Sequence, residues 1–226
     1  MRTFFTTLLL LSFSVCSFAQ QDSIRINQPL HFSIRQLQLP AGLIAAGILS
    51  NGKSTESVKN EVLESRNKNI PGFHTRIDNY LQYAPIALAY GLDAFGVPSR
   101  NDLLNRSIIL AKGELIMLGS VNFLKKTTHT LRPDGTTYNS FPSGHTAQAF
   151  AAATFLSEEY KDRLPWMPYA AYGIASSVGV LRMANNRHYV SDVLVGAGIG
   201  ILSMKLAYWT HQYKWGRNKQ RVLPVF

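Results

Sequence analysis

The chain has a single cysteine in 226 residues, Cys16, and it lies within the first twenty. That excludes a disulfide framework and a thiolate metal site, so the fold is held by packing alone. Charge is scarce too, at 16% of residues, and acids are the scarcer sign, with 13 against 23 Lys and Arg. The net charge of +10 suits an anionic partner, such as a phosphorylated lipid or an anionic headgroup. Nucleic acid is argued against, because the sequence has no basic helix and no aromatic-rich strand pattern. Strict alternation of apolar and polar residues, internal repeats and low-complexity tracts are also missing, which removes support for strands and repeat arrays. No cluster of Asp, Glu and His has metal-ligand spacing, and no cofactor is implied. The glycines of Gly196-Ala-Gly198-Ile-Gly200 do not make a dinucleotide fingerprint, because their spacing is wrong and no strand precedes them.

What is present is apolar: 46% of the chain is hydrophobic. The apolar residues gather in segments of helical length at 37–49, 80–97, 107–124, 146–156, 166–181 and 189–209. The expected class is all-α, a helical bundle of five or six core helices, partly or wholly membrane-embedded. Most segments are short or carry a polar residue (Asp93, Lys112, Glu114, Gln148), and only the last reads as a full span. Within it Gly196 and Gly200 form a small-xxx-small pair suited to close helix approach, in a membrane or in a soluble bundle. The polar stretch 51–69 reads as a short interfacial or solvated helix, with Val58, Val62 and Leu63 on one side.

The first residues combine a basic start at Arg2, an apolar run from Leu8 to Val15 and the ending Ser17-Phe18-Ala19. They read as a secretory signal peptide over 1–19, followed by one domain over 20–226; an uncleaved anchor helix is the alternative. The leader holds one base and no acid, so its removal lowers the net charge from +10 to +9.

Three clusters carry chemistry. Lys125-Lys-Thr-Thr-His-Thr-Leu-Arg132-Pro133 places an ammonium and a fork-shaped guanidinium where both can reach one anion, although basic residues also flank apolar helices as anchors. Phe141-Pro142-Ser143-Gly144-His145-Thr146 runs into an Ala-rich helix, so free amides and a titratable imidazole meet at a helix start. Arg182-Met-Ala-Asn-Asn-Arg187-His188-Tyr189-Val-Ser-Asp192 sets His188 and Asp192 four apart on one helical face. There the carboxylate can hold one ring nitrogen and make the other more basic. A structural histidine–carboxylate bond would look the same in isolation.

In this order the clusters resemble the signature of the type 2 phosphatidic acid phosphatase family, which spans lipid phosphatases, soluble bacterial acid phosphatases and vanadium haloperoxidases. The resemblance covers residues 107–209. It departs at Leu181, where the family usually has serine. It implies that His188 is a nucleophile forming a phosphohistidine, that Asp192 orients it, and that His145 protonates the leaving oxygen and later activates water. It further implies that Lys125, Arg132 and Arg182, with Ser143 and the Gly144 amide, hold the phosphoryl oxygens without a metal. Arg187, His129 and Lys126 are nearby candidates for substrate contact outside the catalytic set. The expected substrate is a phosphorylated lipid of the inner membrane, hydrolysed at a periplasm-facing site, with no obligate protein partner. A soluble periplasmic acid phosphatase, a vanadate-dependent haloperoxidase and a non-catalytic anion binder remain open.

Basic residues on the far side of the helices from the clusters (Arg100, Arg106, Lys161, Arg163, Lys214, Arg217, Lys219, Arg221) point that side to the cytoplasm. An exported N-terminus and three crossings before Lys125 would put the site inside instead. The expectation that reconciles the two is that 37–49, with Pro40, Gly42 and Gly47, is re-entrant or interfacial and does not cross.

Overall fold

A computed structural model of the chain describes residues 32–52 and 54–211, so the leader over 1–19 and the basic tail lie outside the described residues. Among the described residues there are eight helices and no strand: α1 (Arg35–Ser50), α2 (Val58–Asn69), α3 (Asp78–Leu81), α4 (Ala84–Ala94), α5 (Leu103–Thr128), α6 (Gly144–Tyr160), α7 (Met167–Ala184) and α8 (Val190–Trp209). Six of them make the bundle, while α2 and α3 lie against one end of it.

Local chemistry sets most boundaries. The Asp102 carboxylate caps α5 by accepting from the Asn105 amide at 3.0 Å, and α5 stops where His129 turns left-handed at φ 42°. Pro85 and Pro168 sit in the first turns of α4 and α7, where a missing N–H removes no helical bond. At the start of α8 the Asp192 carboxylate reaches back to the Tyr189 amide at 3.0 Å.

The core forms around α6, whose alanines 147, 149, 151, 152 and 153 are all fully buried. With methyl side chains on every face, α6 can be enclosed by α4, α5, α7 and α8 at once. The Gly196/Gly200 pair is where α8 meets it: a Cβ on Gly196 would stand 2.5 Å from the Ser143 carbonyl oxygen, and one on Gly200 would collide with that of Ala147.

Gly198 faces another way, toward the Pro40 carbonyl and Ile44 of α1. Gly47 meets Val195 and Ser191, and the Trp209 indole donates to Gln36 Oε1 at 3.2 Å. The expectation of a re-entrant turn within 37–49 is therefore corrected. Despite Pro40, α1 is a continuous helix that runs antiparallel to α8 along its whole length, because glycines on both partners let the backbones close together.

The end of the bundle remote from the three clusters is closed by buried charge. Glu158 accepts from Lys161 at 2.6 Å and from Lys205, Glu159 accepts from Asn101 and the Tyr208 hydroxyl, and Arg106 pairs with Asp93 at 2.7 Å. Among the described helices, α5 and α8 are long and apolar enough to cross a membrane. They differ in surroundings: 72% of the apolar window of α8 is inside the protein, against 22% for α5.

Candidate active site

The three clusters meet at one end of the bundle, where α5 and α7 finish and α6 and α8 begin. Two contacts staple the second cluster to the third. The Ser143 amide donates to the Asp192 carbonyl at 2.9 Å, and Gly196 lets α8 close on the Ser143 carbonyl. The first cluster joins through Lys125, whose Cε is 3.9 Å from where a Gly144 Cβ would stand and whose ammonium donates to the Asn139 carbonyl at 2.5 Å.

His188 is 3% exposed, and its Nδ1 lies 3.4 Å from Asp192 Oδ2. Nε2 is thereby left as the ring nitrogen directed away from the carboxylate. The same Oδ2 also accepts from the Tyr189 amide and, in a short bond, from the Ser140 hydroxyl. Burial pushes the His188 imidazole down to about 4, although Asp192 pulls it up, and Arg182 and Lys125 add to the fall. The ring is therefore neutral at pH 7, with a free lone pair.

His145 stands in the first turn of α6. Burial pushes it down to about 4 as well, with Arg182 adding to the fall, while Asp78 opposes it. Its Nε2 lies 2.9 Å from the Asn79 side-chain oxygen. An amide oxygen only accepts, so the neutral ring carries its proton on Nε2.

Arg182 is nearly buried, and its guanidinium donates through Nη1 to Asp78 Oδ2 at 2.6 Å. Asp78 is 1% exposed and takes a second bond from the Asn185 amide group at 3.2 Å. Such a pair is costly to break from one side, by about 3–5 kcal/mol, because the partner is left buried and uncompensated. The Nε–H groups of Arg132 and Arg182 are buried with no acceptor among the described residues. Two buried guanidinium N–H donors beside a neutral imidazole suit the oxygens of an anion. Burial and the neighbouring charges of Arg187 and Arg182 also lower the proton affinity of Arg132.

Ser143, expected among the phosphate ligands, is fully buried and otherwise engaged. Its hydroxyl is 2.8 Å from that of Thr146 and caps α6, and its amide is held by Asp192. Its place in the site is to fix where the amides of Gly144 and His145 point, since both belong to the first helical turn and have no partner one turn back. Arg187 is tied to Asp134 at 2.8 Å on the loop after Arg132. A shallow depression lined by Lys59, Val62 and Leu63 of α2 and by Met183 reaches His188. No group of three or more potential metal ligands converges among the described residues.

Ser140, Asp78, Asn79 and Asn185 were not singled out from the sequence. Ser140 stands three residues before Ser143 and could have been weighed for its position. Asp78 and Asn79 stand 104 and 66 residues from their partners Arg182 and His145, and no spacing announces them.

The PAP2 superfamily profile matches residues 120–216, a stretch that contains all three clusters in order. This segment of the chain belongs to the PAP2 superfamily. It is 43% identical over 168 residues to the Lipid A 1-phosphatase of Porphyromonas gingivalis, covering 74% of this chain and 37% of that protein. It is also 36% identical over 95 residues to the bacitracin transport permease protein BcrC of Bacillus licheniformis, covering 38% of this chain and 45% of that one. The chain thus spans less than half the length of these curated relatives. Among solved structures it is similar to Aquifex aeolicus LpxE, at 24% identity and TM-score 0.49 over 64% of this chain and 93% of that one. It is similar too to the first transmembrane PAP2 type phosphatidylglycerolphosphate phosphatase from Bacillus subtilis, at 22% identity and TM-score 0.46 over 75% of this chain and 94% of that one. The PAP2 segment starts within α5, so α1 to α4, with Asp78 and Asn79, precede it.

Proposed function

We propose that this PAP2 protein is a metal-independent phosphatase of a membrane lipid, with the 1-phosphate of lipid A as its foremost candidate substrate. The observation that carries the reading is the neutral, carboxylate-held His188 beside two arginines whose buried Nε–H groups have no acceptor among the described residues. The identity to a lipid A 1-phosphatase supports the substrate class. Phosphatidic acid, phosphatidylglycerol phosphate and polyprenyl pyrophosphate present the same phosphoryl group and are the alternatives.

In this mechanism His188 Nε2 attacks phosphorus as the bond to the leaving oxygen breaks, and Asp192 stabilises the charge that develops on the ring. Lys125, Arg132 and Arg182 neutralise the phosphoryl oxygens, with the Gly144 and His145 amides completing the cradle. His145, made an imidazolium by the bound phosphate, gives one proton to the leaving alkoxide, and the neutral ring then takes one from the water that releases phosphate from His188.

A membrane setting is favoured over a soluble periplasmic enzyme by α5. Leu115, Leu118 and Phe123 are 72%, 47% and 67% exposed on an apolar helix, a surface that lipid covers and water does not. The site is taken to face the periplasm on the charge asymmetry of the two ends.

Purified protein should require detergent for extraction and should hydrolyse both a generic phosphate ester and lipid A. His188→Ala should lower turnover at least about a thousandfold. Release into plain buffer would favour the soluble acid phosphatase, and residual activity in His188→Ala close to wild type would refute the phosphohistidine route.

A further inference from the structure

The segment that precedes the PAP2 portion reaches into the site at two adjacent residues. Asp78 and Asn79 belong to the one-turn helix α3, packed against the end of α7. Asp78 is locked by Arg182 and Asn185, while Asn185 also exchanges hydrogen bonds with Thr75, donating to its carbonyl at 2.9 Å and accepting from its amide at 2.8 Å. Three side-chain contacts thus hold residues 75–78 onto the third cluster, and Asn79 is carried with them. Its side chain is exposed, yet its oxygen stands 2.9 Å from Nε2 of His145.

We propose that Asn79 is a positioning residue for His145, accepting the ring's Nε2–H and so leaving Nδ1 as the nitrogen that serves the leaving group, with the buried Asp78–Arg182 pair as its anchor. The inference rests on the phosphatase reading for its consequence in turnover, but not for its effect on the ring. An imidazole with no such acceptor would divide its proton between two nitrogens and rotate about its terminal torsion. With Nε2–H held by Asn79, the acid step falls to Nδ1, which must face one direction and gain its proton when bound phosphate makes the ring an imidazolium. Asn79 supplies that constraint without adding charge, which matters because the groups facing His145 are already charged or titratable: Arg182 at the end of α7, Arg132 on the loop after α5, Asp78 on α3 and His188 ahead of α8. A carboxylate at position 79 would give the same acceptor and also stabilise the imidazolium.

The test uses the full chain in detergent, with wild type, Asn79→Leu and Asn79→Asp. Nitrogen-15 spectra of labelled histidine should show wild-type His145 as a single neutral tautomer protonated on Nε2, and Asn79→Leu should turn it into a mixture. On glycerol phosphate, whose leaving group is poor, Asn79→Leu should lose about a hundredfold in kcat, yet only a few-fold on p-nitrophenyl phosphate. Combining it with His145→Ala should add no further loss on glycerol phosphate. Asn79→Asp should recover most of that loss and move the alkaline limb of kcat up by about one pH unit. An unchanged tautomer in Asn79→Leu, equal losses on the two esters, or an unmoved alkaline limb in Asn79→Asp overturns the proposal. If wild type hydrolyses neither ester, the phosphatase reading fails by itself, and the tautomer measurement still decides whether Asn79 holds His145.

Discussion

Two neutral imidazoles ringed by fixed cations define the residue scale. Burial keeps both His188 and His145 near 4, far below the ordinary 6.5. A bound oxyanion reverses the balance, since negative charge a few ångströms away favours the imidazolium and raises both values. Labelled histidine should therefore read neutral for both rings at pH 5.5, and vanadate should drive His145 toward the doubly protonated form. Rings that titrate near 6.5 and ignore vanadate would mean that the anion does not lie between them. The same shifts carry a sign for stability. The folded values lie below the unfolded ones, so the neutral rings contribute their full stability above about pH 6.5 and lose it as pH falls toward 4. Ser140 belongs at this scale too, since its hydroxyl shares Asp192 Oδ2 with the His188 ring.

Among the elements, α6 and α8 govern the site because their separation sets the distance between His145 and His188. Glycine keeps that separation small. A side chain on Gly200 would push against the Ala147 carbonyl, whereas Gly119 on α5 has nothing within 4 Å of a Cβ. Gly200→Val should destabilise by about 1–3 kcal/mol and depress turnover, because the start of α6 would move with the helix. Gly119→Ala should leave turnover intact and the melting temperature unchanged or slightly raised. Thermal unfolding in detergent, read with phosphate-ester turnover, checks both; equal stability of the two variants would rule out a close α6–α8 contact. The alanine-rich α6, the cap at Ser143 and the glycine pair were legible in the sequence, since small side chains and caps act locally. The unbroken course of α1 through Pro40 was not, because it depends on α8 lying alongside.

For the whole molecule the six bundle helices alternate: α1, α5 and α7 run toward the site, and α4, α6 and α8 run away from it. Asn51, at the end of α1, accepts from the Ser191 hydroxyl and so marks the site face. Asp162 lies at the opposite end, beside Arg100. If α1 crosses the membrane with α8, a leader cleaved after Ala19 and an outward-facing site exclude each other by parity. An impermeant thiol reagent applied from outside separates the cases in a Cys16→Ser background. Glu56→Cys, exposed near the site face, should react in intact cells, and Asp162→Cys should react only after permeabilisation. The reverse pattern would turn the site to the cytoplasm and restore the exported N-terminus.

The sequence by itself determined the helical class, the three clusters and the histidines within them. Residue type, helical period and capping chemistry are properties of neighbours along the chain. Only the tertiary structure decided that the Ser143 amide is held by the Asp192 carbonyl, that Ser140 shares the Asp192 carboxylate, and that α3 supplies the partners of Arg182 and His145. Those contacts join residues as many as 104 positions apart. A bond across such a separation is made by packing, and packing leaves no period or spacing in one chain read alone.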